Sequence, residues 1–255
     1  MLLAIDIGNT NIVIGCIRDD RILFKARIAT DYTRTSDQYG VEIKSMLEAF
    51  GIHKEDISDC IISSVVPPVF HSIRTGVIKV IGKQPMVVGP GLKTGLDIQV
   101  DSPAQVGSDR IVIAVAALAE YDAPLILIDL GTATTVEVVT QPRTYLGGVI
   151  YPGVKLSLDA LTSRAAQLPG ISLDKPKQVI GKNTVDCMRS GMMYGTAAML
   201  DGVIQRIEDE LGYTCTLVAT GGLAQFVIPL CKREIILEKD LLLKGLNIIY
   251  KKNRR

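Results

Sequence analysis

The feature that most constrains this chain is an internal repeat. Leu3-Ala4-Ile5-Asp6-Ile7-Gly8-Asn9-Thr10-Asn11 is matched by Ile126-Leu127-Ile128-Asp129-Leu130-Gly131-Thr132-Ala133-Thr134. Each copy is an apolar strand, an Asp-x-Gly, and then small hydroxyl or amide residues. A second apolar strand follows each, Ile12 to Ile17 and Val136 to Val139. The copies lie about half the chain apart. Two copies are too few for a solenoid, so they read as two related domains that each open with a strand–turn–strand unit. Cys60-Ile61-Ile62-Ser63-Ser64 and Thr216-Leu217-Val218-Ala219-Thr220-Gly221-Gly222 form a weaker second pair with a larger offset. The second half should therefore carry an insertion, expected between Val154 and Ser190. The boundary is expected near Ala116, giving domains 1–116 and 117–255.

Strand and helix patterns alternate around these repeats. Arg21 to Ile28 reads as a third strand. Ser36 is placed to cap a helix reaching Phe50, with Val41, Met46, Leu47 and Phe50 on one face and Gly51 closing it. Cys60 to Val66 is an apolar strand ended by Pro67-Pro68, and Met86 to Val88 is another, ended by Gly89-Pro90-Gly91. Ser108 opens a helix running to Tyr121. Met192 to Leu211 reads as a long amphipathic helix whose Gly191, Gly195 and Gly202 suit close packing. The pattern is α/β.

Composition removes several function classes. Among 255 residues, 28 Lys+Arg balance 27 Asp+Glu for a net charge of +1, which argues against nucleic-acid binding through bulk charge. Aromatics at 5% with no Trp are too few for a base-stacking platform. Cys16, Cys60, Cys187, Cys215 and Cys231 are odd in number and form no CxxC, against a disulfide framework or a zinc site. His53 and His71 lack metal-ligand spacing. The longest strictly apolar stretch, Ile111 to Ala119, is too short to cross a bilayer. Asp6 interrupts the N-terminal apolar run, so no signal peptide is expected and the chain reads as cytoplasmic, with no membrane partner.

The repeated turns can do chemistry. A Gly-rich turn between paired strands aims several backbone N–H groups into one concavity. Gly8 and Gly131 can take positive φ and admit a ligand close to the backbone. Asp6 ends an apolar strand, a costly place for a charge unless a cation or donors satisfy it. A phosphate chain with Mg²⁺ meets both needs. One such turn alone reads first as a hairpin that reverses the chain; two at matching positions shift the reading to ligand binding at a shared cleft. Thr220-Gly221-Gly222 suits a nucleoside. Lys182-Asn183-Thr184 is not a P-loop, because Pro176 stands where its upstream Gly is required. In Gly107-Ser108-Asp109-Arg110, Ser108 and Asp109 account for a helix cap and its dipole. The same four residues also set a carboxylate beside a fixed cation, able to orient an acidic substrate and accept a hydroxyl proton. The closing Lys251-Lys252-Asn253-Arg254-Arg255 reads as a solvated basic tail.

Taken together, these segments resemble the acetate and sugar kinase, heat-shock chaperone and actin superfamily, and within it the type III pantothenate kinases. The resemblance spans the chain. It rests on Asp6 to Asn11, Ser63 to Pro68, Val88 to Gly91, Gly107 to Arg110, Asp129 to Thr135, Gly147 to Gly153, Ser163 to Ala166, Gly181 to Thr184 and Thr220 to Gly222, in that order and spacing. It implies two duplicated ribonuclease-H-like (actin-like ATPase) domains flanking an interdomain cleft. The implied reaction is ATP-dependent phosphorylation of the primary hydroxyl of pantothenate, the first step towards coenzyme A. By the same resemblance Asp6, Ile7, Gly8, Asn9, Thr10, Asn11, Ile12 and Val13 hold the ATP phosphates and Thr132 contacts them from the other domain. Asp109 becomes the general base, and Gly107, Ser108, Asp109, Arg110 and Thr184 line the pantothenate site. Asp129 binds a monovalent cation, K⁺ or NH₄⁺, and Mg²⁺ accompanies ATP. A homodimer paired through the second domain is also implied. Three positions depart from the family pattern. Val100 stands where tyrosine is common, Tyr151 where a small residue is usual, and Leu130 in place of a frequent Phe. A tyrosine contact to pantothenate is thus expected to be missing, and Tyr151 either replaces it or narrows the pocket.

Two further readings stay open at this level. One is a non-catalytic regulator that uses the same fold to sense a nucleotide or bind a partner, since fold alone does not settle function. A kinase for another small hydroxy compound would use the same residues.

Overall fold

A computed structural model describes residues 1–254. The elements in chain order are β1 (Leu2–Ile7), β2 (Asn11–Arg18), β3 (Arg21–Ala29), α1 (Ser36–Ala49), β4 (Asp59–Ser64), α2 (Pro67–Ile81), β5 (Met86–Val87), β6 (Asp97–Ile98), α3 (Ser108–Glu120), β7 (Leu125–Leu130), β8 (Ala133–Thr140), β9 (Thr144–Pro152), α4 (Val154–Arg164), α5 (Thr184–Leu211), β10 (Thr216–Thr220), α6 (Ala224–Val227), β11 (Ile236–Leu237) and α7 (Leu241–Asn253).

Two compact units result. The first holds Met1–Leu96, Asp101–Ala119 and the chain from Asp240 onward; the second holds Asp97–Val100 and Glu120–Lys239. They differ from the halves drawn at Ala116. That position lies inside α3, and the last helix packs on β1 and β4 of the first unit.

The first sheet has the order β3-β2-β1-β4-β5 and the second β11-β10-β7-β8-β9-β6. Apart from the added β6, the second repeats the first strand for strand. β1 pairs antiparallel with β2 and parallel with β4, as β7 does with β8 and β10. The expected insertion is α4, the segment after it and α5, lying between β9 and β10 where the first unit has α1 and a single 3₁₀ turn at Lys54–Asp56.

β1 is buried along its whole length because helices cover both faces of its sheet. Leu3, Ile5 and Ile7 join Tyr39, Ile43 and Leu47 of α1 and Val69, Ile73 and Val77 of α2 in one core. Full burial of each such side chain is worth about 1.5–3 kcal/mol. On the opposite face Gly15 lies under Leu243 of α7, and Gly245 of α7 sits so close to Val112 of α3 that a Cβ would meet its carbonyl oxygen at 2.1 Å.

Three local expectations are corrected. The cap of α1 is Thr35, in a reciprocal box with Gln38, one residue before the expected Ser36. The buried stripe of α1 is Tyr39, Gly40, Ile43 and Leu47, whereas Val41 and Phe50 are 66% and 53% exposed. Gly40 sets that face, because its backbone meets Gly76 of α2. In α5, Gly191 and Gly195 have open space where a Cβ would stand, so they pack against nothing described in this chain.

The C-terminal residues are not a free tail. Lys251 bonds Asp20, Lys252 Nζ donates to the Thr94 carbonyl at 2.8 Å, and Asn253 exchanges two bonds with the Lys93 backbone at 2.8 and 3.0 Å. The helical phase of α7 carries these groups onto the first unit. Arg255 lies outside the described residues.

Candidate active site

In the first unit the parallel strands β1, β4 and β5 end side by side. Carboxyl ends of parallel strands are where α/β sheets place ligands. Asp6 stands next to Ser63 in the β1–β4 register, and Val88 N–H continues the β5 edge by donating to Ile62 O at 2.8 Å. Asp6 is only 5% exposed, a buried acceptor at a strand end. The turn after it is closed by Gly8 N–H donating to Asn11 O at 3.0 Å. Gly8 does not use positive φ, contrary to expectation. Its requirement is space, since a Cβ would lie 3.0 Å from Asn11 O. Asn9, Thr10 and Asn11 are exposed, while the Ile7 and Ile12 side chains sit in the core. Any ligand contact from those two isoleucines is therefore through the main chain.

The Gly107–Arg110 segment joins this edge through a serine pair. Ser108 Oγ lies 2.9 Å from Ser63 Oγ, accepts from Ser64 N–H at 3.2 Å and donates to Ser64 O at 3.1 Å. Ser108 is thus tied to the end of β4, and the helix-cap reading of its hydroxyl is corrected. Asp109 Oδ1 accepts from Arg110 N–H at 2.8 Å, so the carboxylate folds over the amino end of α3, where the helix dipole favours negative charge. That fold-back needs Gly107, whose Cβ would stand 2.5 Å from Asp109 Oδ1.

The second unit repeats the arrangement. Asp129 stands next to Thr220 in the β7–β10 register, as Asp6 does next to Ser63. Gly221, at φ 102°, passes so near that a Cβ would meet Asp129 Oδ1 at 2.5 Å. Gly131, like Gly8, does not adopt positive φ. Gly153 donates its N–H to Thr132 O at 3.1 Å, and a Cβ there would meet that oxygen at 2.3 Å. The amino end of α4 is thereby pressed against the Gly131-Thr132 turn, and Thr132 is left exposed. Thr184 is exposed at the start of α5, where Asn183 caps the helix by accepting from Asp186 N–H at 2.9 Å. The Lys182-Asn183-Thr184 segment is therefore a helix start.

Val100 lies against Gly147, its Cγ1 3.4 Å from where a Cβ would stand. Tyr151 is opposite Thr134, which shares the face of Val136 and so of the helix layer, while Asp129 faces the other way. It is also four residues along β9 from Gly147, about 13 Å in an extended strand. Within this unit Tyr151 therefore stands on the sheet face opposite that of Asp129.

These residues suit a nucleotide and its cations. The donors are carboxylate, hydroxyl and backbone groups, the set that hard cations prefer. No cluster of three or more His, Cys, Asp or Glu that could hold a metal exists among the described residues. One or two carboxylates completed by substrate phosphates and water is the usual Mg²⁺ arrangement. The glycines at 107, 153 and 221 leave room that any side chain would fill.

Residues with no role assigned by sequence reasoning are Ser63 and Thr30. Ser63-Ser64, small hydroxyls ending an apolar strand, was a visible signal; Thr30 had none. An open depression over Arg34, Asp37, Gln38, Val41 and Glu42 contains none of the site residues.

Comparisons with known proteins agree with this geometry. The type III pantothenate kinase family profile matches residues 2–206. A type III pantothenate kinase from Exiguobacterium sibiricum is 46% identical over 254 residues, covering 100% of both chains. One from Halalkalibacterium halodurans is 44% identical, covering 99% of this chain and 100% of its own. Among solved structures, a protein described as a Baf family transcriptional activator from Campylobacter jejuni has a TM-score of 0.61 at 20% identity, covering 98% of each chain. A ROK hexokinase from Thermus thermophilus has a TM-score of 0.50 at 13% identity, covering 97% of each. Those likenesses carry the fold, two duplicated ribonuclease-H-like domains. Full-length identity to the curated relatives and the family profile carry the assignment: the chain belongs to the type III pantothenate kinase family.

Proposed function

We propose that Asp109 is the general base of this enzyme's reaction, the ATP-dependent phosphorylation of pantothenate that opens coenzyme A biosynthesis. The observation that carries the proposal is the Ser63–Ser108 bond, which holds the Asp109 segment at the strand end where Asp6 of β1 stands beside Ser63. The turn from Asp6 to Val13 holds the ATP phosphates, with Thr132 as a second contact. Gly107, Ser108, Arg110 and Thr184 receive pantothenate, Arg110 by pairing with its carboxylate. Asp109 then accepts the hydroxyl proton. An aspartate is a feeble base towards an alcohol, but a loose phosphoryl-transfer transition state asks for little early proton removal. Positioning and charge neutralisation do most of the work. Mg²⁺ with ATP, and K⁺ or NH₄⁺ at Asp129, supply positive charge to the phosphates when bound.

Homodimerisation is part of the same proposal. Among the described residues β6 pairs with β9 at Thr144 and Tyr145, and Val100 lies against Gly147; beyond it no strand pairs with the outer edge of β9 from Gly148 to Pro152, which bears exposed Val149, Ile150 and Tyr151. Such edges are templates for pairing. The open Gly191 and Gly195 of α5 support close approach of a second copy. The protein is placed in the cytoplasm, where its ATP is found. No helix among the described residues is long and apolar enough to cross a membrane.

The test is coupled ADP detection with purified protein, ATP, Mg²⁺ and K⁺, with and without pantothenate. Pantothenate-dependent ADP release is expected. Nucleotide binding without transfer would favour a regulator, and transfer only to other alcohols would favour a different acceptor.

A further inference from the structure

We propose that Thr30 is a positioning residue for the phosphate-holding turn. This rests on the reading of residues 6–13 as that turn. Thr30 follows β3, placed beside the turn by the Asn11–Ala29 pairing of β2 and β3. Its Oγ1 donates to the Gly8 carbonyl at 2.6 Å, and its N–H donates to the Thr10 carbonyl at 3.0 Å. One residue thus occupies two carbonyls of a three-residue turn.

The consequence follows from peptide geometry. In a planar trans peptide the C=O and the next N–H point in opposite directions. Holding the Gly8 carbonyl towards Thr30 therefore aims the Asn9 N–H away from Thr30. A carbonyl turned into the concavity would repel a phosphate oxygen, and an N–H turned into it attracts one. Thr30 keeps the Gly8 peptide in the attractive orientation before any nucleotide arrives.

Thr30 is itself held. Tyr39, fully buried in α1, receives the Asp31 N–H at 3.0 Å and donates its phenol to Asp31 O at 2.7 Å. The order of support runs from the core of the first unit through Tyr39 and Asp31 to Thr30, and from there to the turn.

The experiment compares the full-length wild type with Thr30→Val, which keeps shape and N–H but deletes the hydroxyl, and Thr30→Ser, which retains it. Calorimetric titration with ADP and Mg²⁺, KM for ATP, KM for pantothenate and the ligand-free melting temperature are measured. Thr30→Val is expected to weaken ADP binding and raise KM for ATP ~3- to 10-fold, the range of one net hydrogen bond. KM for pantothenate should stay within about twofold, and Thr30→Ser should restore ADP affinity. Tyr39→Phe is the second variant should Thr30→Val fold poorly, with a smaller change in the same direction. Unchanged ADP affinity in folded Thr30→Val overturns the proposal, as does a loss that Thr30→Ser does not repair. If Thr30→Val does not fold, unchanged affinity in Tyr39→Phe overturns it. Asp6→Asn separates the two levels: if ADP affinity ignores Asp6 as well, the reading of the turn itself fails.

Discussion

Ser63 and Ser108 lie 2.9 Å apart, Oγ to Oγ, although 45 residues separate them in the chain. Through this contact the first turn of α3 is attached to the end of β4, beside Asp6 on β1. Ser108→Ala deletes that bond and two more to Ser64. It is expected to lower stability by about 1–3 kcal/mol, seen as a fall of a few degrees in melting temperature. Catalytic efficiency with pantothenate should fall about 10-fold because Asp109 is no longer held in place. A stability loss with unchanged kinetics would separate Ser108 from the site.

Asp109→Asn keeps shape and the bond to the Arg110 N–H but removes the base. A drop in kcat of about 10²- to 10⁴-fold is expected, with ADP affinity preserved. Near-normal turnover would remove Asp109 from the role proposed for it.

Gly221→Ala combines a left-handed backbone, φ 102°, with a Cβ placed 2.5 Å from Asp129 Oδ1. The strained backbone and the displaced carboxylate are expected to cost about 1–3 kcal/mol. The K⁺ concentration for half-maximal activity should rise with it. Gly222→Ala, at a glycine without positive φ, serves as the comparison.

Acid stability of the second unit should depend on Glu208. Hydrogen bonds from Arg233 at 2.8 and 2.9 Å hold its carboxyl below the ordinary carboxylate range. A depressed carboxyl adds stability that is present above its unfolded value near 4.5 and lost as pH falls through the lower folded value. Urea midpoints should therefore decline below about pH 4.5. Glu208→Gln should lose about 1–3 kcal/mol at neutral pH and show a flatter acid limb. An acid limb identical to wild type would exclude this pair as its source.

Much of the architecture was legible because it is written twice. The Asp-x-Gly repeat announced two similar sheets. The weaker likeness of Cys60–Ser64 to Thr216–Gly222 pointed to a second matching strand in each sheet; that Ser63 and Thr220 stand beside the two aspartates came only from the strand register. The repeats are properties of strand periodicity and local turn chemistry, which a linear chain displays. The helix faces were harder. In α1 the apolar Val41 and Phe50 looked like core, yet the buried side follows Gly40, where α2 crosses at backbone distance. Hydrophobicity alone does not report such a crossing.

The sequence by itself determined the duplicated α/β plan and the family, and it singled out Asp6, Asp109 and Asp129 as the candidates to carry chemistry. Tertiary structure decided what holds them. It joined Ser108 to Ser63, folded Asp109 back over Gly107, and turned the C-terminal lysines from a presumed tail into bonds with Asp20 and Thr94. Each of these depends on groups far apart in the chain meeting within hydrogen-bond range. Distance in space comes from packing helices on a sheet, and no local pattern encodes it.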